Sequence, residues 1–326
     1  MALIKINTRS IPDDAVTPDK VSENHGRKNI IINGGFEISQ RGTYTSAASY
    51  NDGTYHIDRW ETLRDGVTAT FQHLVPVAGE SSYGVKLTAT SATNGTIRLR
   101  QRLEVPNIYI WGARTFTLSA RVKSNSSNAR LLMYGGSGGG YVTMTSDSND
   151  SHTGGGAIET LTATFTTTGS VSSEFAAFVG IDNVRSVGDP AISSGDYFEV
   201  YDFQMEEGTQ ASDFENRSHG EELSLCQRYY QKTATASGVV STSAIVYLAV
   251  QLMTEMRAVP SWSLSGPMMI NDVGVNATQS SANITAYNST TNGTFANLDN
   301  FSGLTPFRGC LTRQAGGSYL VADAEL

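Results

Sequence analysis

Few residues of this chain have the types and spacings that catalysis requires. The run Gly135-Gly136-Ser137-Gly138-Gly139 matches the G-x-S-x-G string of a serine nucleophile elbow. An elbow needs a strand before its serine and a helix after it. Here the following residues, Tyr141–Thr145, have the composition of a β-strand instead. We therefore interpret the string as a flexible loop rich in glycine and serine.

Histidine offers no better candidate for catalysis or metal binding. The chain has 5 histidines, and no two lie at the spacing of a metal-ligand pair. Because a zinc site needs several convergent ligands, His56, His73 and His152 are interpreted as ordinary surface or strand residues. We find no phosphate-binding loop and no convincing catalytic triad. We predict that the chain is not an enzyme, although two distant catalytic carboxylates would leave no motif.

Two carboxylates interrupt otherwise apolar strand ends. Glu37 follows Gly35-Phe36, and Asp202 stands between Tyr201 and Phe203. Calcium takes hard oxygen ligands and often combines a few carboxylates with loop carbonyls. A structural Ca²⁺ shared by Glu37 and Asp202 would tie the first strand of the domain to its last strand. The alternative is that both carboxylates are simply solvated or hydrogen-bonded.

Aromatic side chains could stack on the faces of sugar rings, and three tyrosines are our candidate ligand-binding residues. Tyr44 and Tyr50 lie in the Thr/Ser/Gly-rich segment 41–54 and are expected to be exposed, and Tyr55 follows closely. Aromatic residues within strands more often belong to a core. We therefore predict that Trp60, in an alternating strand, is a core residue.

The elements that must position these residues are short strands with one apolar face. The segments Ile97–Val105 and Thr115–Lys123 alternate between apolar and polar residues, as half-buried strands do. A first strand is placed at Asn29–Glu37, and similar runs recur up to Met205 with no helical segment between them. Short strands at regular spacing predict a two-sheet β-sandwich.

The pattern changes near residue 217. Ser218-His219-Gly220-Glu221 has the spacing of a helix capping box, and Glu222–Arg228 supports a short helix. Strands resume after Tyr229-Tyr230. We place a domain boundary at about residue 217, so that a β-sandwich over 29–216 precedes a smaller β-rich domain over 217–326.

Residues 1–28 form a polar segment with two prolines and no helical or strand period. Such a segment cannot form a core of its own. It is either a disordered tail or an extended arm that becomes ordered against another protein. It also lacks the apolar region of a signal peptide, so we expect a soluble protein made in a cytoplasm.

Charge and cysteine content exclude several classes of function. The formal net charge is −8, and we find no basic cluster of the kind that neutralises phosphates, so we predict no nucleic-acid partner. Two cysteines, Cys226 and Cys310, do not make a disulfide framework and are expected to be buried free thiols. No apolar run approaches the length of a membrane span.

Several stretches carry motifs that recur together elsewhere. They are Asn29–Gly42 with Tyr55–Trp60, Phe198–Gly208 with Ala211–Ser218, Glu221–Tyr230, and the closing Val321–Leu326. Together they resemble a widespread group of bacteriophage tail-fibre proteins. This resemblance, which covers residues 29–326, implies a virion adhesin, most simply a homotrimer. Because residues 1–28 are a polar, proline-containing arm ahead of a well-formed domain, we predict that they anchor the chain to another virion protein.

The sandwich region also resembles jelly-roll carbohydrate-binding modules. In those modules a Glu after the first strand and an Asp in the last strand help to bind a structural Ca²⁺, and Glu37 and Asp202 are the matching positions. The resemblance therefore implies a jelly-roll β-sandwich and recognition of host cell-surface polysaccharide. Two alternatives stay open: a purely structural virion protein, such as a head fibre, decoration protein or baseplate adaptor, and a glycan-degrading tailspike. A tailspike would be expected to show a long internal repeat, which we do not find.

Overall fold

The chain folds almost entirely into β-structure, which confirms the predicted all-β class. The computed structural model describes residues 28–76, 82–92, 94–104, 114–137, 140–144, 151–166, 174–182, 191–272, 275–278, 283–314 and 318–325. These ranges contain twenty-two strands and one helix. None of their helical residues forms a segment long and apolar enough to cross a membrane. The predicted arm lies outside these ranges, except for Lys28.

Two six-stranded antiparallel sheets form the predicted jelly-roll β-sandwich. The first sheet has the order β1 (Ala48–Ser49), β4 (Ala69–Leu74), β5 (Gly84–Ala89), β12 (Tyr197–Glu207), β7 (Thr115–Ser124) and β10 (Ile158–Thr166). The second has the order β2 (Thr54–Ile57), β3 (Trp60–Asp65), β6 (Thr96–Leu103), β11 (Glu174–Asp182), β8 (Ala129–Ser137) and β9 (Gly140–Met144). From β5 to β12 the chain crosses repeatedly between the two sheets.

The core of the sandwich lies between the two sheets. In β5, Val85 and Leu87 are fully buried, and Lys86 between them points to the opposite face because successive side chains alternate along a strand. Trp60 is fully buried in the same core, which confirms its predicted place. The alternation seen in the sequence therefore separates a core face from an outer face.

The predicted first strand at Asn29–Glu37 is wrong, because this segment forms a turn. Asn33 and Phe36 both have φ of 57°, a left-handed conformation outside the β region of backbone angles. The side-chain amide of Asn33 accepts a bond from Ile38 N at 3.0 Å and donates to Ile38 O at 2.8 Å. The turn still buries Ile31 and Phe36 completely in the sandwich core. The apolar pattern of this segment therefore indicates its burial correctly but not its backbone conformation.

The predicted flexible loop at Gly135–Gly139 is largely a β-hairpin. Gly135, Gly136 and Ser137 belong to β8, and Ser137 pairs with Gly140 at the start of β9. A strand therefore follows the serine where a nucleophile elbow would have a helix.

The predicted junction helix is present as α1 (His219–Gln227). Ser218 is its N-cap residue with extended backbone angles, but its side chain makes no capping bond, so the capping box is not formed. Glu222 instead turns towards the sandwich, where it accepts Asn33 N at 2.6 Å and pairs with Arg217 at 3.1 Å. Glu222 thus holds the helix against the turn at 31–36.

The C-terminal region, which we call the tip, contains two further antiparallel sheets and is the predicted smaller β-rich domain. The smaller sheet has the order β13 (Tyr230–Thr233), β22 (Leu320–Asp323) and β16 (Ser261–Leu264). The larger has the order β18 (Val275–Thr278), β17 (Met268–Asp272), β21 (Gly309–Gln314), β14 (Ser237–Thr242), β15 (Ile245–Gln251), β20 (Gly293–Leu298) and β19 (Ile284–Thr290). Cys310 lies in the core of the tip, Cys226 is buried in α1, and both are free thiols as predicted.

Buried ion pairs join the tip to the sandwich. Arg59, 1% exposed, lies in the two-residue turn between β2 and β3 with φ of 72°. Its guanidinium pairs with Glu325, lies 3.5 Å from the ring centroid of Tyr229, and donates to Arg102 O at 2.6 Å. Arg41 also pairs with Glu325, at 3.1 Å. The last residues of the chain thus neutralise two arginines of the sandwich.

Candidate functional site

The candidate ligand-binding tyrosines Tyr44 and Tyr50 meet at one buried histidine. The ring centroid of Tyr44 lies 5.0 Å from that of His56, and the ring of Tyr50 lies 6.0 Å from it, both edge-on. Tyr50 is only 4% exposed and its hydroxyl donates to Leu63 O at 3.3 Å. The expectation that Tyr50 is exposed is therefore wrong, because the loop folds its ring against the core. Tyr44 is half-buried.

The third candidate, Tyr55, lies at the junction with the tip. It is half-buried, with the guanidinium carbon of Arg41 5.1 Å from its ring centroid. Burial raises the pKa of the Tyr55 hydroxyl, and the nearby carboxylates of Glu325 and Glu61 raise it further. A sugar-binding role for the three tyrosines stays a prediction.

The two predicted calcium ligands lie on neighbouring segments but face different partners. Phe203 N, next to Asp202, donates to Gly34 O at 2.9 Å, so the turn that precedes Glu37 lies beside β12. The Glu37 carboxylate is 2.8 Å from His219 Nδ1, and the Asp202 carboxylate is 3.0 Å from Arg121 Nη1.

Within the described ranges no group of three or more His, Cys, Asp and Glu side chains could hold a metal ion. A Ca²⁺ at Glu37 and Asp202 would therefore need backbone carbonyls as its further oxygen ligands. The calcium site stays a prediction.

His56 lies in β2 and His73 in β4, which agrees with the prediction of strand residues, whereas His152 is a buried residue outside the strands. His56 and His73 are buried, and burial lowers the pKa of both imidazoles. His152 Nδ1 accepts a bond from Gly154 N at 2.8 Å, and its Nε2 lies 2.9 Å from Ala157 O. This pair of bonds fits a neutral ring with the proton on Nε2.

The outer face of the first sheet carries a row of charged side chains that sequence analysis did not single out. We call Lys86, Glu199 and Lys123 the charged row. Lys86 on β5 is the register partner of Glu199 on β12, which in turn is opposite Lys123 on β7. Lys86 Nζ lies 3.1 Å from Glu199 Oε1, and Lys123 Nζ lies 3.5 Å from Oε2. Direct cross-strand neighbours have their Cβ atoms about 5 Å apart, which permits these contacts.

Tyrosines and a third cation border the charged row. Tyr201 Oη donates to Glu199 Oε2 at 3.0 Å, and Lys86 Nζ lies 4.2 Å from the ring centroid of Tyr197. Arg121, which is next but one to Lys123 on β7, pairs with Asp202. The bonds orient the polar atoms of the row before any ligand arrives.

The charged row is partly open to solvent. The Lys86 and Lys123 side chains are 29% and 37% exposed, whereas that of Glu199 is 9% exposed. Each ammonium group has three N–H donors, so contact with Glu199 leaves donors for a ligand. The ring of Tyr197 adds a half-buried apolar surface. This combination suits a ligand with many hydroxyl groups and apolar C–H faces.

The charged row was invisible in the sequence because its members are far apart along the chain. The period-2 pattern places Lys86 and Lys123 on the polar faces of their strands, and that signal was present. Which polar faces lie side by side depends on the sheet order β5-β12-β7, which no local pattern specifies.

No protein-family model matches the chain, and no curated protein matches it. Among solved structures, it is similar to TmCBM61 in complex with β-1,4-galactotriose, at 14% identity and a TM-score of 0.31, over 56% of this chain and 100% of that one. It is also similar to the CBM22-1 xylan-binding domain of Paenibacillus barcinonensis Xyn10C, at 14% identity and a TM-score of 0.32, over 52% and 97%.

A third similar structure is an enzyme, the Stig cyclase Fisc from Fischerella sp. TAU, at 15% identity and a TM-score of 0.37, over 57% of this chain and 100% of that chain. At such low scores these similarities carry no argument. The all-β sandwich fold is shown by the sheets of the chain itself.

Proposed function

We propose that this chain is a non-catalytic virion fibre protein of a bacteriophage that recognises polysaccharide on the host cell. The proposal has two supports: the resemblance of the opening and junction motifs to tail-fibre proteins, and a β-sandwich whose outer face carries the charged row. Residues 1–28 would anchor the protein to another virion component. The anchor, the host and the glycan are parts of the proposal.

The single observation that carries the binding function is the charged row with its tyrosines. Its lysines and glutamate are oriented by each other and by Tyr201 Oη. These side chains would therefore lose little conformational entropy when a ligand binds. Sugar hydroxyls can accept bonds from the ammonium groups, and a sugar ring can cover the apolar ring of Tyr197.

Several copies of a weak site would bind a polymer tightly. A site of this size on a flat sheet is expected to have low affinity, and a homotrimer would present three of them. Linked sites raise the overall affinity because the second and third contacts become intramolecular. Low affinity per subunit and high affinity per particle suit attachment to a surface-bound polysaccharide.

The second candidate function is a purely structural virion protein. It is favoured by an exposed apolar face on the tip, since such faces usually mark contacts between protein chains. The two candidates differ in whether purified protein binds the host surface.

Competition for phage adsorption tests the proposed function. Purified full-length protein, incubated with host cells, should reduce adsorption of the phage particles. The same protein with Lys86→Ala, Glu199→Ala and Lys123→Ala should compete poorly, since the whole row is removed without leaving an unpaired buried charge. The matched control is Arg114→Ala with Glu207→Ala, an exposed pair 2.9 Å apart at the other end of β7 and β12. Undiminished adsorption with wild-type protein would favour the structural candidate.

A further inference from the structure

One face of the seven-stranded sheet packs on the tip core, and on the opposite face five of its strands carry large apolar side chains that are exposed or half-buried. On β15, Val246, Leu248 and Val250 are buried, so Tyr247 between them points to the opposite side. The neighbouring strands point further large apolar side chains to that side. The set, which we call the apolar stripe, comprises Leu311 (56% exposed), Val239 (41%), Tyr247 (half-buried), Phe295 (46%) and Tyr287 (44%).

The members of the apolar stripe are neighbours across the sheet. Val239 is the register partner of Tyr247, and Phe295 is the register partner of Tyr287. The rings of Tyr247 and Phe295 stack with their centroids 5.8 Å apart and their planes at 19°. The stripe therefore runs continuously over β14, β15, β20 and β19, and Leu311 extends it onto β21.

A strained turn adds an exposed aromatic ring at one end of these strands. Phe307 is 89% exposed and has φ of 66°, which is uncommon for a bulky residue. Its backbone N donates to Val240 O at 2.8 Å, and Val240 N donates to Arg308 O at 2.9 Å. Strain of this kind persists where the surrounding structure enforces it, often at sites of function.

The near absence of charged residues on this face indicates which partner it could bind. The five strands that carry the apolar stripe contain no Asp, Glu or Lys, and Arg313 is their one arginine. The chain as a whole has a net charge of −8, so two copies repel each other elsewhere and can meet without like-charge contact here. Because this face lacks charged side chains other than Arg313, it offers little basis for the electrostatic selection of a different partner.

The size of the face is also adequate for a protein contact. Seven strands about 4.8 Å apart and some five residues long at about 3.3 Å per residue give a flat area of roughly 500 Å². Two such faces in contact amount to roughly 1,000 Å² of flat area, the lower end of the range for specific protein–protein interfaces.

We propose that the outer face of the seven-stranded sheet, centred on the apolar stripe, is the surface through which copies of this chain associate. The inference rests on the proposed function for the need to associate, and it adds the surface. Closed cyclic symmetry is the usual outcome when one chain binds itself. The charged row, on the sandwich, is a separate site.

The test is the mass of the full-length protein in solution, by light scattering, for wild type and for Val239→Lys with Leu311→Lys. The wild type is expected to be an oligomer and the double variant a monomer, because two buried lysines per subunit would face each other. The matched control, Val75→Lys with Ile158→Lys, changes two sandwich residues that are each 44% exposed and should keep the oligomer. Phe307→Ser, at an exposed turn where folding is not at risk, should shift the dissociation midpoint to higher protein concentration.

A monomeric wild type, or a double variant with wild-type mass, would overturn the inference. Should the double variant fail to fold, an unchanged dissociation midpoint for Phe307→Ser would overturn it as well. Binding to host envelope polysaccharide is measured on the same samples. A monomer that binds polysaccharide contradicts only the interface, and an oligomer that does not bind contradicts only the proposed function.

Discussion

Asp58 shows at the residue scale how burial sets the chemistry of the junction. Its side chain is fully buried, and it accepts bonds from Gln40 N at 2.5 Å and Gln40 Nε2 at 2.9 Å. Burial raises the pKa of Asp58 to about 6, against the lowering effects of the Gln40 bonds and Arg41. At neutral pH the ionised Asp58 carboxylate therefore lowers the stability of the folded state.

A pH-dependent contribution to stability follows from the raised pKa of Asp58. A pKa that is higher in the folded state stabilises the fold at low pH, and this contribution is lost as the pH rises through about 6. We expect the unfolding free energy of Asp58→Asn, relative to that of the wild type, to increase by roughly 2 kcal/mol between pH 4 and pH 8. Urea unfolding at both pH values measures the difference. The exposed Asp65→Asn is the control, and a difference that does not change with pH would refute the assignment.

The calcium site is a second prediction at the residue scale. If Glu37 and Asp202 share a Ca²⁺, millimolar calcium should raise the melting temperature of chelated protein, since a ligand that binds only the folded state stabilises it. Mg²⁺ at the same concentration is the control, because Mg²⁺ demands near-ideal octahedral geometry and binds weakly to flexible sets of oxygen ligands. The same melting curve with and without calcium, in protein shown to be metal-free, would exclude the site.

At the element scale, strong alternation predicted strands well, and weak alternation did not. Thr115–Lys123 was predicted as a strand and β7 spans Thr115–Ser124. By contrast, β14 (Ser237–Thr242) and β20 (Gly293–Leu298) show no clear alternation, because glycine, serine and threonine give little apolar contrast. Tertiary pairing forms these two strands, since both lie inside the seven-stranded sheet.

The candidate site was predictable only in part for a related reason. The sequence places Lys86 on a polar strand face, but the contact with Glu199 joins residues more than a hundred positions apart. Tyr50 was expected to be exposed from its loop composition and is buried against His56. Loop composition does not reveal which ring a loop folds inward.

The turn that replaced the predicted first strand gives an element-scale prediction. A Cβ on Gly34 would lie 2.1 Å from Phe203 O. This is a steric clash with a backbone atom, so the backbone would have to move to accommodate the side chain. We expect Gly34→Ala to destabilise the sandwich by about 2 kcal/mol or more. The control is Gly220→Ala in α1, where a Cβ meets nothing within 4 Å and alanine favours the helix. Equal urea midpoints for the Gly34 variant and wild type would contradict this account of the turn.

At the scale of the whole molecule, the C-terminal residues lock the tip to the sandwich. Arg59 is 1% exposed, and the Glu325 side chain that pairs with it is 6% exposed. Loss of one partner from a buried pair leaves an uncompensated charge.

We therefore expect Glu325→Ala to lower the unfolding free energy by about 3 kcal/mol or more. The exposed partner Glu207→Ala, paired with Arg114, should change it by less than about 1 kcal/mol. Denaturant unfolding measures the free energy of unfolding of both variants. A small decrease of similar size in the two variants would contradict the role of Glu325 in holding the tip to the sandwich. Limited proteolysis near residue 217 should also increase in the Glu325 variant alone.

Recognition of glycan by the charged row is the central claim, and direct binding tests it. The measurement is retention of full-length protein on immobilised envelope polysaccharide from the host. We expect wild type and the Arg114→Ala, Glu207→Ala control to bind equally. The Lys86→Ala, Glu199→Ala, Lys123→Ala variant, shown to be folded, should bind at least about tenfold more weakly, a loss of about 1.4 kcal/mol. Absence of wild-type binding, or equal binding by the row variant, would contradict the account.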